Sequence, residues 1–166
     1  MYRKVSTSDG TWLALETEWR QACDNVDEDF DDFEMGSFDV LRTIANNCDD
    51  STFTCVVPSV ASTHAAASMA NYVHIKGYSE KVLRIRHLTF SPQLDFTSTY
   101  QDYVNNIASV LAAILTLSKD MKAKHVKVHA ASPADNQLLN SSASGLRSTK
   151  SFTSVDFKGS WLYITF

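Results

Sequence analysis

The stretch from Phe90 to Leu117, FSPQLDFTSTYQDYVNNIASVLAAILTL, passes from an apolar strand through a polar turn into a long amphipathic helix. Backbone N–H groups and the positive end of a helix can hold a phosphate at such a turn, provided glycines let the backbone approach it. The segment from Ser91 to Thr99 contains no glycine, and Asp95 and Asp102 put two anions where another would have to bind. Asp at a helix start stabilises the helix by about 0.3–1 kcal/mol, so the turn reads as a helix cap rather than a phosphate cradle. On the preceding strand, His87 is the one group that changes charge near neutral pH and could serve as a general base. Among Arg84, Arg86 and Thr89 it reads more readily as an ordinary half-exposed histidine. His125 and His129 alternate with Val126 and Val128, while His64 and His74 lie elsewhere, and no metal-ligand spacing results. There is no G-x-S-x-G and no P-loop. Cys23, Cys48 and Cys55 are an odd number without a CxxC pair, which argues against a disulfide framework or a zinc ribbon and for buried free thiols.

Charge is distributed unevenly. The formal net charge is −4, yet Asp24, Asp27, Glu28, Asp29, Asp31, Asp32 and Glu34 gather 7 of the 19 acids into eleven residues without a Lys or Arg. Elsewhere 12 acids face 15 bases, a balance of +3. Asp27, Asp29 and Asp31 have the alternate spacing of a calcium loop, but Asp32 stands where its glycine belongs and Phe38 where its final Glu belongs. Two readings remain for the segment, a solvated acidic loop or a docking surface for a basic partner built on Asp27, Glu28, Asp31 and Asp32. Phe30 and Phe33 would be either its apolar anchors or core residues that pin it down. Lys119, Lys122, Lys124 and Lys127 cluster at a helix end and the next strand, a modest charge on an acidic protein that argues against nucleic acid.

The 166 residues, 44% hydrophobic and 20% charged, suit a single globular domain spanning 1–166. No apolar run approaches the roughly 20 residues of a membrane span, and MYRKVSTSDGTW lacks the apolar stretch of a secretory signal. A cytoplasmic protein, read as starting at Met1, is therefore expected.

Periodicity supplies the elements. Residues 2–7 read as a strand, and GTWLALETEWRQACDNV as a helix capped by Ser8 or Asp9, with Trp12, Leu15, Trp19, Ala22 and Cys23 on one face. SFDVLRTIANN places Phe38, Leu41, Ile44 and Ala45 on a second helix. TFTCVVP is a strand, Ser59 to Ala67 is uninformative, and SMANYVHIKGY with KVLRIRHLTF reads as an antiparallel pair. Strict alternation in the latter puts Val82, Arg84, Arg86 and Leu88 on one face and Leu83, Ile85, His87 and Thr89 on the other. The long helix, about Tyr100 to Ala123, starts at a capping box of Ser98 and Gln101. HVKVHAAS follows as a strand, PADNQLLNSSASGL as a short helix ended by Gly145, and SFTSVDFKGSWLYITF as a hairpin around Lys158 and Gly159.

This order, β-α-α-β-β-β-α-β-α-β-β, resembles the GNAT superfamily of acetyl-CoA-dependent N-acetyltransferases over nearly the whole chain. VLRIRHLTFSP stands for its central strand, YQDYVNNIASVLAAILTLSKDMKAKHVKVHAA for the helix and strand behind it, and ADNQLLNSSASGL with GSWLYITF for its closing part. The resemblance implies an α/β (α+β) fold with a mixed, mostly antiparallel sheet flanked by helices. It also implies Q/R-x-x-G-x-G/A before the long helix, which is absent here, and often a tyrosine general acid on the short last helix. Asn136 and Gly145-Leu146 match remnants of that last pattern, with no tyrosine between them, and Tyr163 reads as packing on the sheet.

Two functions follow. In the first the chain is a non-catalytic GNAT-fold structural or binding protein with no cofactor. The closing SVDFKGSWLYITF also resembles small GNAT-like virion proteins of short-tailed phages, which implies virion proteins as partners and the virion as location. In the second it is an active N-acetyltransferase with an atypical loop, in which Leu88, Thr89, Phe90, Ser91 and Asn136 contact acetyl-CoA and His87 acts as base through a water.

Overall fold

Strand β4 (Lys81–Phe90), with burial alternating along most of its length, is the centre of the molecule. In the computed structural model, which describes residues 2–33, 36–58, 63–97 and 99–166, it lies fourth in a seven-stranded sheet. Around it the chain lays down β1 (Arg3–Val5), α1 (Thr11–Asp24), α2 (Phe30–Phe33), α3 (Ser37–Asn46), β2 (Thr52–Val57) and β3 (Ala66–His74). After β4 come α4 (Pro92–Thr97), α5 (Tyr100–Asp120), β5 (His125–His129), α6 (Pro133–Ser148), β6 (Ser154–Lys158) and β7 (Trp161–Thr165). The strand order is β1-β2-β3-β4-β5-β7-β6. Among the described residues only β4 and β5 run parallel, joined by the α4–α5 crossover; the other pairings are antiparallel. The expected fold class is the observed one, with the short helices α2 and α4 added.

Each sheet face has its own apolar cluster. On one, Phe53, Leu83, Ile85, Val126, Val128, Leu162 and Ile164 meet Ile107, Leu111 and Ile114 of α5 and Leu138 and Leu139 of α6. On the other, Trp12, Leu15 and Trp19 of α1 and Phe38 and Leu41 of α3 cover Val5, Val56, Ala67 and Met69. Among the described residues that second cluster draws its sheet residues from β1 to β3, although α3 also packs against β4.

Several local expectations need correction. The alternation along β4 breaks at His87, which has φ +53° where the register to β3 shifts between Ala67 and Met69. One extra residue in a strand reverses the parity of those after it, so Leu88 and Phe90 join the cluster of Leu83 and Ile85 instead of the Arg84 face. Helix α1 begins at Gly10, φ +79°, a backbone open to glycine; Asp9 assists from outside by accepting the Thr11 N–H at 2.9 Å. The cap of α5 is formed by Thr99 and Asp102, one residue later than expected, and Ser98 lies outside the described residues. Gly145 does not end α6: the helix runs on to Ser148, its last turn held by Leu146 against the core and by Arg147 Nε donating to the Val155 carbonyl at 2.7 Å. All three thiols are free, but Cys48 is exposed, and only Cys23 and Cys55 are buried.

Candidate functional site

The ladder between β4 and β5 covers Val82–Ile85 and His125–Val128 and goes no further. Beyond it β4 continues to Phe90 paired with β3, and β5 to His129 paired with β7, so the two strands part. The opening forms a cleft of about 280 Å³ lined by Leu88, Thr89, Phe90, Asp95, Tyr103 and Asp135, with Phe33, Ser37, Ala131 and Ser132.

Ser132 and Asp135 cap α6 reciprocally: Ser132 Oγ accepts the Asp135 N–H at 3.1 Å, and Asp135 Oδ2 accepts the N–H groups of Ser132 at 3.0 Å and Ala131 at 3.2 Å. Asp135 is 6% exposed, and its Oδ1 also accepts the Tyr103 hydroxyl at 3.0 Å from the first turn of α5. Burial first, then the charge of Asp135, push the Tyr103 phenol well above its ordinary range. Such a phenol is a poor proton donor to a leaving group at neutral pH. Burial and the same charge raise the Asp95 carboxyl.

The turn after β4 is folded as helix. Ser91 donates its N–H to the Ala65 carbonyl, and its own carbonyl accepts those of Leu94 at 2.9 Å and Asp95 at 3.0 Å. The start of α5 is occupied as well, since Thr99 Oγ1 accepts the Asp102 N–H and the Asp102 carboxylate accepts that of Thr99. Hydrogen bonds to Thr99 hold the Asp102 carboxyl below its usual range. A pyrophosphate in the cleft would meet the carboxylates of Asp95 and Asp135, and Leu94, Asp95 and Asp102 N–H groups already in use.

Of the expected site residues, Leu88, Thr89 and Phe90 line the cleft. Ser91 turns away from it, buried beneath α1 beside Trp19 and Gln93. Asn136 donates its side-chain amide to the Ser132 carbonyl at 3.0 Å and is not part of the cleft wall. His87, also absent from that wall, sits at the bulge; burial, Arg86 and His129 lower its pKa, so the ring is neutral at pH 7. Tyr163 lies on the sheet face with Lys127 Nζ 4.6 Å from its ring. Tyr103 and Asp135 were not singled out from the sequence; the Ser132-x-x-Asp135 spacing was a visible cap signal, whereas the tyrosine contact depends on how α5 and α6 pack.

The acidic segment is not without counter-charge, as its composition suggested. Arg20, one helical turn earlier on α1, reaches Asp31 at 3.2 Å and lies over the Phe30 ring at 4.3 Å. Asp29 Oδ1 accepts the Asp31 N–H at 2.8 Å and so starts α2. Phe30 is 4% exposed within the α1–α3 cluster and is a core residue; Phe33 is half-buried, packing against that cluster while also lining the cleft. Asp24, Asp27, Glu28, Asp29, Asp31 and Asp32 remain exposed; Glu34 lies outside the described residues.

No family model and no curated protein sequence matches the chain. Among solved structures it is similar to an N-acetyltransferase from Staphylococcus aureus Mu50, with TM-score 0.51 and 10% identity over 99% of this chain and 96% of that one. It is also similar to a probable acetyltransferase from Staphylococcus epidermidis ATCC 12228, with TM-score 0.50 and 13% identity over 100% of this chain and 97% of that one. The chain has the GNAT fold. At these identities the likeness concerns the fold alone, and function has to be argued from the site. Where a GNAT enzyme would carry its glycine-rich turn, this chain carries α4.

Proposed function

We propose that this chain is a non-catalytic GNAT-fold protein that acts as a structural or binding component in a protein assembly. One observation carries the reading: the turn between β4 and α5 is closed into helix α4, with the Leu94 and Asp95 N–H groups bonded to Ser91 and with the carboxylates of Asp95 and Asp135 lining the cleft. Anions bind at helix starts because free N–H groups and the helix dipole favour them, and here side-chain carboxylates take that part. The raised Tyr103 phenol supports the same reading, since it makes that tyrosine a poor general acid.

The exposed carboxylates Asp27, Glu28, Asp31 and Asp32 are the proposed docking surface for a basic protein partner. Arg20 satisfies Asp31, the Phe30 ring faces inward and Phe33 packs between the α1–α3 cluster and the cleft, so recognition here is electrostatic and salt-sensitive. Virion proteins are the proposed partners, on the resemblance of SVDFKGSWLYITF alone. Calorimetric titration with acetyl-CoA tests the main claim. The expected result is no appreciable heat; a Kd below about 10 μM, roughly −7 kcal/mol, would overturn it.

A further inference from the structure

Helices α1 and α3 cover β1 to β3, α3 also reaches β4, and the same sheet face continues over β5 and β7 with a different character. Arg84 and Arg86 lie two residues apart on β4, Lys127 is the cross-strand neighbour of Arg84 on β5, and β7 sets Tyr163 beside Lys127 and Trp161 beside His129. Lys127 Nζ is 4.8 Å from the Trp161 ring and 4.6 Å from that of Tyr163, while the Arg84 guanidinium is 5.6 Å from Trp161. The rings hold the cations by cation–π attraction.

Two arginines on the helices of that face give a comparison. Arg20 meets Glu16 and Asp31, and Arg42 meets Glu16 and Asp39. Arg84 and Arg86 form no ion pair among the described residues, and Nε of each is buried without an acceptor. The bond recorded for Arg86 is a long one, 3.9 Å, from a terminal nitrogen to the Met69 sulfur. Asp156 is the cross-strand neighbour of Tyr163 on β6. Half-buried guanidinium donors without acceptors are costly, and two side by side also repel.

We infer that this face is a binding site for the oxyanion of a ligand, a carboxylate or phosphoryl group, held between Arg84 and Arg86 with Lys127 as the third charge. The planar forks of the two arginines suit either group. With cations lying over Trp161 and Tyr163, the rings are not free to stack on bases, so the site reads charge. It goes beyond the function proposed above and stands whether or not acetyl-CoA binds.

Two sources of the oxyanion can be separated at constant ionic strength. Succinate and inorganic pyrophosphate serve as free anions, and a synthetic peptide DNVDEDFDDFE, copied from residues 24–34, supplies carboxylates on a protein segment. Chemical shifts of the Trp161 indole and calorimetry report binding. At least one probe is expected to bind the native chain and to bind Arg84→Gln/Arg86→Gln at least tenfold more weakly, with Lys119→Gln/Lys122→Gln as an unaffected control. Binding of the peptide alone assigns the site to a protein partner; binding of free anions alone assigns it to a small molecule. The double variant, relieved of unpaired donors, should melt no lower than the native chain, and Lys127→Gln should weaken the same probe independently. Absence of binding by all three probes at millimolar concentration, or equal binding by the arginine variants, would overturn the inference.

Discussion

Helices α5 and α6 start with one device in two settings. At α5 the box of Thr99 and Asp102 stands in solvent and joins only its own two residues. At α6 the box of Ser132 and Asp135 is buried, and the same carboxylate also takes the Ala131 N–H and the Tyr103 hydroxyl. The first box only starts a helix; the second also ties α5, α6 and the end of β5 together and puts charge into the cleft. A cap signal in a sequence therefore predicts a helix start, while burial decides whether it also shapes a site.

Removing the buried carboxylate should have the largest effect. In Asp135→Ala the Ala131 and Ser132 N–H groups and the Tyr103 hydroxyl lose their acceptor, and each buried unpaired group costs about 1–3 kcal/mol. Relief of repulsion on Asp95 offsets a part, leaving an expected loss of about 3 kcal/mol or roughly 6–12 °C in Tm for a chain of this size. Urea denaturation would measure it. A loss no greater than that of the exposed cap would dissolve the distinction between the boxes. Tyr103→Phe removes one of the three bonds and should cost about 1 kcal/mol. In the Asp135→Ala background it should cost close to nothing, because the two groups form one network.

For the exposed box, Thr99→Ala should cost about 1 kcal/mol. It should leave the ring signals of Tyr103 unchanged, since nothing in the cleft depends on Thr99. Shifts in those signals would show that the two helix starts are coupled.

Much of this arrangement was legible in the sequence. The 3.6-residue period of α1, α3 and α5 and the β-branched strands fixed the order of the main elements, and the missing glycines between Ser91 and Thr99 pointed to an altered turn. The bulge was harder to see. Leu83 and Ile85 followed by Leu88 and Phe90 change parity, which is a bulge signal, but Val82 shares the parity of Leu88 and lets an unbroken alternation fit as well. Helix α4 had a Pro at its first position, a start signal read only as part of a turn. The acidic run hid Arg20 because the partner lies outside it in sequence. The pairing of Tyr103 with Asp135, 32 residues apart, depends on how two helices meet on a sheet, which no local pattern specifies.

The smallest expected effect concerns pH. Burial, then the charge of Asp135, raise the Asp95 carboxyl above its ordinary value of 3.8. A carboxyl raised in the folded state destabilises the fold while ionised: the penalty is full above its folded pKa, shrinks as pH falls through it, and is gone below the unfolded value. Asp95→Asn should therefore raise Tm slightly at pH 7 and leave it unchanged at about pH 3, where both chains carry a neutral group at position 95. Solvent reaches this side chain, so the gain is expected to be modest. Repeating the pair of measurements in the Asp135→Ala background separates the causes. Burial alone would leave the gain at pH 7 intact, whereas repulsion across the cleft would reduce it. A gain equal at both pH values would mean that the carboxyl at position 95 feels neither, and that the two acidic residues of the cleft do not share one field.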